Sequence, residues 1–146
     1  MPSTFHDVDV KSNLKNRRKL SAFLDGLVTS FKISAQKIRL TYIFCNDEYL
    51  LKINQQFLNH DTLTDVITFD LSEVPETLIL GEIYISIDRV KENAKEFSTN
   101  YDEELLRVIF HGALHLCGKK DKTEQEQAIM RTLEQESIVA YKLQLK

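Results

Sequence analysis

Four glycines, two prolines and two cysteines are all that this chain of 146 residues contains of those residue types. The low glycine and proline counts argue against a fibrous or disordered chain. Two cysteines are too few for a disulfide framework, so we expect Cys45 and Cys117 to be buried thiols. No apolar run approaches membrane-spanning length, and the polar residues that follow the N-terminus leave no apolar core for a signal peptide. The composition therefore predicts a single globular domain over residues 1–146, in the cytoplasm.

A large excess of one charge is also missing, because 19 basic and 22 acidic side chains leave a net charge of -3. A protein that bound nucleic acid mainly through its overall field would be basic. Phosphate contacts would therefore have to come from local clusters. The basic stretch near the N-terminus leaves two interpretations open, an RNA contact or a solvated helix face; it consists of Lys11, Lys15, Arg17, Arg18 and Lys19.

Hydrophobic periodicity predicts an α+β fold in which a small mixed sheet of about four strands packs with about five helices. Strands are predicted at 4–10, 38–45, 65–71 and 79–86, the first of them at a sheet edge and the last two forming a hairpin around the loop 72–77. Helices are predicted at 14–31, 87–97 and 102–116. Two more should begin at capping residues, one at Asn46 and one near Thr123, where Glu126 completes a capping box.

His111 and His115 are the residues whose spacing and chemistry together demand a functional explanation. On a helix, residues four apart lie one above the other, so both imidazoles can reach the same point. Gly118 permits the left-handed turn that ends a helix and directs Asp121 back toward the rings. Three ligands leave one position open for water, which is typical of a catalytic metal site. The pattern predicts a divalent metal ion on His111, His115 and Asp121; the alternative is a chance pair of histidines on an amphipathic helix.

The same spacing begins the long zinc-peptidase motif His-Glu-x-x-His-x-x-Gly-x-x-His, so the predicted helix is metalloprotease-like. This sequence differs from that motif at two positions. Gly112 stands in the place of the catalytic glutamate, and Asp121 stands in the place of the third histidine. A peptidase without that glutamate lacks its usual general base. A metallopeptidase is therefore the weaker interpretation.

Three short motifs follow one another along the chain: LTDVITF at 63–69, LGEIYIS at 80–86 and HGALHLCGKKD at 111–121. Together they resemble the motifs of the YbeY family of rRNA maturation factors, with Asp121 in place of the third metal-ligand histidine. The resemblance implies a metal-dependent, single-strand-specific endoribonuclease used in ribosomal RNA processing and ribosome quality control. The expected cofactor is one divalent ion, zinc before others. The expected partners are ribosomal RNA and the small ribosomal subunit or its assembly proteins, with no membrane.

The resemblance also implies roles for residues outside the ligand set. Asp65, which Thr64 precedes, is expected to orient a metal-bound histidine through its second ring nitrogen. The alternative, which is more frequent for such residues, is that Thr64 and Asp65 stabilise the turn before a strand. Glu82 stands where the family carries an aspartate. The sequence leaves open whether Glu82 acts as a base or as a structural partner.

Substrate binding departs from the family pattern, because Leu58 occupies the position of an arginine that is expected to hold substrate. His60, two residues further on, is a candidate for part of that role; the alternative is a solvated loop histidine. Three lysines flank Asp121 and are predicted to neutralise substrate phosphates near the metal. They are Lys119, Lys120 and Lys122.

Three functions remain open from the sequence. The favoured one is a metal-dependent endoribonuclease of ribosomal RNA, in which water or the adjacent ribose 2′-OH attacks the phosphodiester. The second is a ribosome assembly factor whose site binds metal for structure and cuts slowly or not at all. The third is a metallopeptidase.

Overall fold

The computed structural model describes residues 2–60, 62–72 and 77–146. Two strand-helix pairs are followed by two consecutive strands and then by three helices. The strands are β1 (Ser3–Asp7), β2 (Lys37–Cys45), β3 (Val66–Asp70) and β4 (Leu78–Ser86). The helices are α1 (Arg17–Phe31), α2 (Asp47–Leu58), α3 (Ile87–Glu96), α4 (Tyr101–Leu116) and α5 (Glu124–Gln144). The predicted α+β class, with four strands and five helices in the described part, is confirmed. Most of the predicted loop at 72–77 lies outside the described residues.

The four strands form one mixed sheet in the order β1-β2-β4-β3. β1, β2 and β4 run parallel to one another, whereas β3 pairs antiparallel with β4 and places Thr68 opposite Ile83. The predicted hairpin of the last two strands and the predicted edge position of β1 are both confirmed.

The first strand and the first helix are both shorter than predicted. β1 ends at Asp7 rather than at residue 10, and α1 begins at Arg17 rather than at residue 14. Between them, three residues have positive φ angles, 56° at Asp9, 55° at Asn13 and 57° at Asn16. Such angles fit neither a strand nor a right-handed helix, and short polar side chains tolerate them best. Apolar spacing alone therefore overestimated both elements.

The α2 and α5 helices both begin at side-chain caps, as predicted. The Asn46 side chain accepts a hydrogen bond from the backbone N–H of Tyr49 at 2.8 Å. Thr123 and Glu126 form a reciprocal capping box at the start of α5, with bonds of 3.0 and 3.1 Å. Each such cap contributes about 1 kcal/mol to stability.

The larger hydrophobic core lies between the sheet and the α1, α4 and α5 helices. Two glycines allow α4 to approach the sheet closely. A Cβ atom on Gly112 would lie 2.8 Å from Cγ2 of Ile83, and one on Gly81 would lie 2.5 Å from Cδ1 of Leu116. This close packing places the C-terminal half of α4 against β3 and β4.

A smaller core lies on the other face of the sheet, where α2 packs through Leu50 against Cys45 and Ile67. Cys45 and Cys117 are both buried free thiols, as predicted. Among the described helices, none is long and apolar enough to cross a membrane.

Candidate metal centre

The two histidines of the site occupy the last turns of α4, where their ring centroids lie 4.5 Å apart. The helix ends in a Schellman motif, because the N–H of Lys119 donates to the carbonyl of Leu114 at 3.1 Å and the N–H of Gly118 to that of His115 at 2.9 Å. Gly118 has a φ angle of 91°. The predicted left-handed turn at this glycine is therefore confirmed.

This turn brings Asp121 back to both rings. Its Oδ2 atom lies 3.3 Å from Nε2 of His111 and 3.4 Å from Nε2 of His115, and the three ligand atoms all lie within 4.8 Å of one another. Two ligands bound about 2.1 Å from a tetrahedral zinc ion are themselves about 3.4 Å apart. Two nitrogens and one carboxylate oxygen at this spacing therefore fit one divalent ion, with a further coordination position left for another group.

The three candidate ligands face a pocket of 540 Å³ that is lined by α4, α5 and β3 with the segment before it. Thr64 and Asp65, singled out from the sequence, both line it. Its wall is polar and mainly acidic, and the other lining residues are Val66, Thr68, Asp70, Glu104, Arg107, Val108, Leu116 and Glu134.

Glu134 on α5 is one of the pocket residues that sequence reasoning missed. Its Oε2 atom lies 2.6 Å from Nδ1 of His111, and the residue is only 7% exposed. Burial lowers the pKa of His111, but the hydrogen bond and charge of Glu134, with the charges of Asp121 and Asp65, outweigh it and raise the pKa overall. A signal was present in the sequence, because Glu134 lies one helical turn from the apolar Met130 on the buried face of α5.

Asp65 is not the carboxylate at Nδ1 of His111, because Glu134 occupies that place. The Asp65 carboxylate instead accepts a hydrogen bond from the side-chain amide of Asn93 at 3.3 Å. Burial raises the pKa of Asp65, and the nearby charge of His111 partly counteracts this. Thr64 makes a local contact, since its hydroxyl donates to the carbonyl of Val66 at 3.4 Å.

Glu82 lies on the opposite face of the sheet from α4. Successive side chains on a strand alternate between faces, and the next residue of β4, Ile83, packs under Gly112 of α4. Glu82 is paired across the sheet with Phe69 and accepts a hydrogen bond from the Tyr84 hydroxyl at 3.4 Å. The structure thus separates Glu82 from the pocket, and the contact it makes is a structural one.

The predicted phosphate-binding side chains are placed outside the lining of the pocket. The Nζ atom of Lys119 lies over the ring of Phe31, 4.9 Å from its centroid, while Lys120, Lys122 and His60 are exposed. Among the described residues, the cationic side chain that lines the pocket is Arg107, one turn before His111. Its guanidinium donates to Gln135 at 2.8 Å. Sequence reasoning did not single out Arg107.

The site combines two imidazoles of one helix with a carboxylate that the following turn places beside them, in a polar pocket of an α+β fold. This arrangement is typical of the metallohydrolase class. The family Endoribonuclease YbeY matches residues 4–142. Relatives named Endoribonuclease YbeY include one from Flavobacterium psychrophilum, 58% identical over 99 residues that cover 68% of this chain and 69% of the relative. One from Flavobacterium johnsoniae is 43% identical over 133 residues, covering 91% and 93%.

A third relative of that name, from Bacteroides fragilis, is 37% identical over 142 residues, which cover 97% of this chain and 99% of the relative. The solution structure of TM1509 from Thermotoga maritima superposes with a TM-score of 0.60 at 27% identity, covering 97% of this chain and 93% of that one. The chain therefore belongs to the YbeY family, and the resemblance drawn from the three motifs is confirmed.

Proposed function

We propose that this chain is a metal-dependent endoribonuclease that cleaves single-stranded RNA during the maturation of ribosomal RNA. The convergence of His111, His115 and Asp121 on one point inside a pocket is the observation that carries the proposal. The names of its relatives support the endoribonuclease activity. In the cell, the proposed partners are ribosomal RNA and the small ribosomal subunit or its assembly proteins, in the cytoplasm.

Zinc is the proposed ion, because two imidazole nitrogens and one carboxylate oxygen suit it. A divalent ion bound there would lower the pKa of water and neutralise charge that develops on the scissile phosphate. Compared with a third histidine, the carboxylate of Asp121 lowers the net charge of the centre by one unit. Harder ions should therefore compete better here than at a site of three histidines.

Phosphate recognition is proposed to come from outside the pocket wall. Lys120 and Lys122 are exposed on either side of Asp121, so both are available to a nucleic-acid backbone that approaches the metal. Lys119 is the weaker candidate, because its ammonium already lies over Phe31. His60 is also a candidate contact for the nucleic-acid backbone, because its side chain is exposed in the loop after α2.

Peptide hydrolysis is disfavoured by the position of Gly112. In the peptidase motif a glutamate at this place must reach the metal-bound water. Here a Cβ atom at this position would lie 2.8 Å from Cγ2 of Ile83 under the helix. A glutamate at position 112 would therefore require α4 or Ile83 to move.

The test is cleavage of single-stranded RNA by purified protein, with and without a chelator, compared with His115→Ala and Asp121→Ala. We expect the wild type to hold about one divalent ion per chain and to cut RNA, and both variants to lose most of the metal and the activity. His6→Ala is the matched control, because His6 is an exposed histidine on β1, outside the pocket lining.

Cleavage that survives both the chelator and His115→Ala would refute the metal-dependent mechanism. A wild type that holds metal and copurifies with ribosomal particles, yet leaves both naked RNA and ribosomal precursor particles uncut, would instead identify an assembly factor. Hydrolysis of a casein substrate that His115→Ala abolishes would favour the metallopeptidase.

A further inference from the structure

A buried carboxylate lies behind the first candidate metal ligand. Oε2 of Glu134 is 2.6 Å from Nδ1 of His111, and the Glu134 side chain is 10% exposed. The opposite ring nitrogen, Nε2, is the one that lies 3.3 Å from Asp121. His111 is therefore held between two carboxylates, one on each nitrogen of its ring.

The two nitrogens of a neutral imidazole are not equivalent. The nitrogen that binds a metal must offer a lone pair, so the proton has to reside on the other nitrogen. A carboxylate beside Nδ1 accepts that proton in a hydrogen bond and so favours the tautomer with a free lone pair on Nε2. The same bond restricts rotation of the ring, because the carboxylate is held on a separate helix.

Contacts with α4 hold the Glu134 carboxylate in place. Its second oxygen, Oε1, lies 3.9 Å from Nη1 of Arg107, and the same guanidinium donates to Gln135 at 2.8 Å. Further along, Lys142 of α5 binds Glu103 of α4 at 2.7 Å. The two helices thus run antiparallel with polar contacts along their length, and a nearby cation partly compensates the buried charge of Glu134.

We propose that Glu134 is a positioning residue of the metal centre, which sets the Nδ1–H tautomer and the orientation of His111 so that Nε2 faces the ion. Arg107, 3.9 Å from the second carboxylate oxygen, partly compensates the charge of Glu134. This inference rests on the proposed function insofar as the site binds a metal. Glu134 itself acts through His111 and is not assigned any contact with the substrate.

The first measurement uses the unaltered, metal-free chain. Nitrogen-15 NMR, at a pH where titration of the ring signals shows His111 to be neutral, should place its proton on Nδ1. A proton on Nε2 would overturn the proposal. Because no substitution is involved, this result is independent of whether any variant folds.

The second measurement compares zinc affinity in Glu134→Gln and Glu136→Gln by competition with a chromophoric chelator. Both substitutions remove one negative charge from α5, but Glu136 is exposed and lies two residues further along. We expect Glu134→Gln to weaken zinc binding about 10-fold to 100-fold and to raise the share of the Nε2–H tautomer. Glu136→Gln should bind zinc as the wild type does. Equal affinities in the two variants would overturn the proposal.

The same measurements distinguish failure of the proposed function from failure of the proposed role of Glu134. If the wild type binds no zinc, the metal centre is refuted, whereas the His111 tautomer still reports on Glu134. If zinc binds and RNA is not cut, the role of Glu134 is still tested by affinity and tautomer alone. A merely structural role would lower the free energy of unfolding without moving the tautomer of the folded chain.

Discussion

Gly112 and Gly26 are glycines within helices at which the same substitution should change the stability of the chain by different amounts. A Cβ atom added at Gly26 on α1 meets nothing within 4 Å, whereas one added at Gly112 on α4 lies 2.8 Å from Cγ2 and 3.3 Å from Cγ1 of Ile83. Both substitutions to alanine gain the same helix propensity, about 1 kcal/mol. Any difference between them therefore measures the collision under α4.

The size of that difference follows from the geometry. Carbon atoms pack best at about 3.5–4.0 Å, so α4 or Ile83 must give way by about 0.7 Å or more. Ile83 is fully buried in the core and has little room to move. Overpacking of this kind costs about 1–3 kcal/mol. We expect Gly26→Ala to stabilise the chain by about 1 kcal/mol and Gly112→Ala to leave it unchanged or to destabilise it by up to about 2 kcal/mol.

Urea unfolding of the metal-free protein, in the presence of a chelator, measures both free energies without a contribution from bound metal. In thermal unfolding the same difference between the variants should amount to several degrees. If Gly112→Ala stabilises the chain as much as Gly26→Ala does, the close approach of α4 to the sheet is refuted. The explanation for the missing peptidase glutamate would then fail with it.

Three further substitutions or conditions test the surroundings of the site. Gly118→Ala should destabilise the chain by about 1–2 kcal/mol, because its φ of 91° disfavours a Cβ, and should weaken metal binding through Asp121; unchanged stability in urea would contradict the Schellman turn. Thr123→Ala should cost about 1 kcal/mol through the lost cap of α5, measured against Thr132→Ala on the exposed face of the same helix. The pKa of His111 is raised in the folded chain, since Glu134 and its neighbours outweigh burial. In the metal-free protein, the stabilisation that comes from the protonated His111 ring is therefore fully present below about pH 6.5. It is lost as the pH rises through the pKa of His111 in the folded chain. The free-energy difference between wild type and His111→Gln should shrink as the pH rises from about 6.5 through the raised folded-state pKa of His111, and a growing difference would refute the assignment.

Much of the fold was predictable because local signals agreed with one another. Alternating apolar residues marked the strands, helical spacing marked the helices, and Asn46 and Thr123 marked two helix starts. Predictions were less accurate between β1 and α1, where three separate polar residues have positive φ angles. Apolar periodicity carries no information about such backbone angles.

The residues of the candidate site also differ in how far the sequence alone predicted them. His111, His115 and Asp121 lie within eleven residues, so the rise of one helix and a single glycine turn determine their meeting point. Their proximity could be derived without knowledge of the rest of the chain. Arg107 lies one turn before His111 on the same helix, so its position could have been derived from the same local spacing. Glu134, by contrast, reaches the site through the packing of α5 on α4, and its place on the buried face of α5 did not indicate which residue it would contact.

By itself, then, the sequence determined the short-range geometry: the helix with its two imidazoles, the left-handed turn after it, and the motifs that define the family. Only the tertiary structure decided which carboxylate stands behind His111, that Glu82 faces away from the pocket, and that Lys119 packs on Phe31. The reason is physical. Backbone periodicity acts over a few residues, whereas contacts between elements distant in the chain depend on how the whole core packs, and the α4 helix is placed by its close fit to the sheet at Gly112 and Gly81.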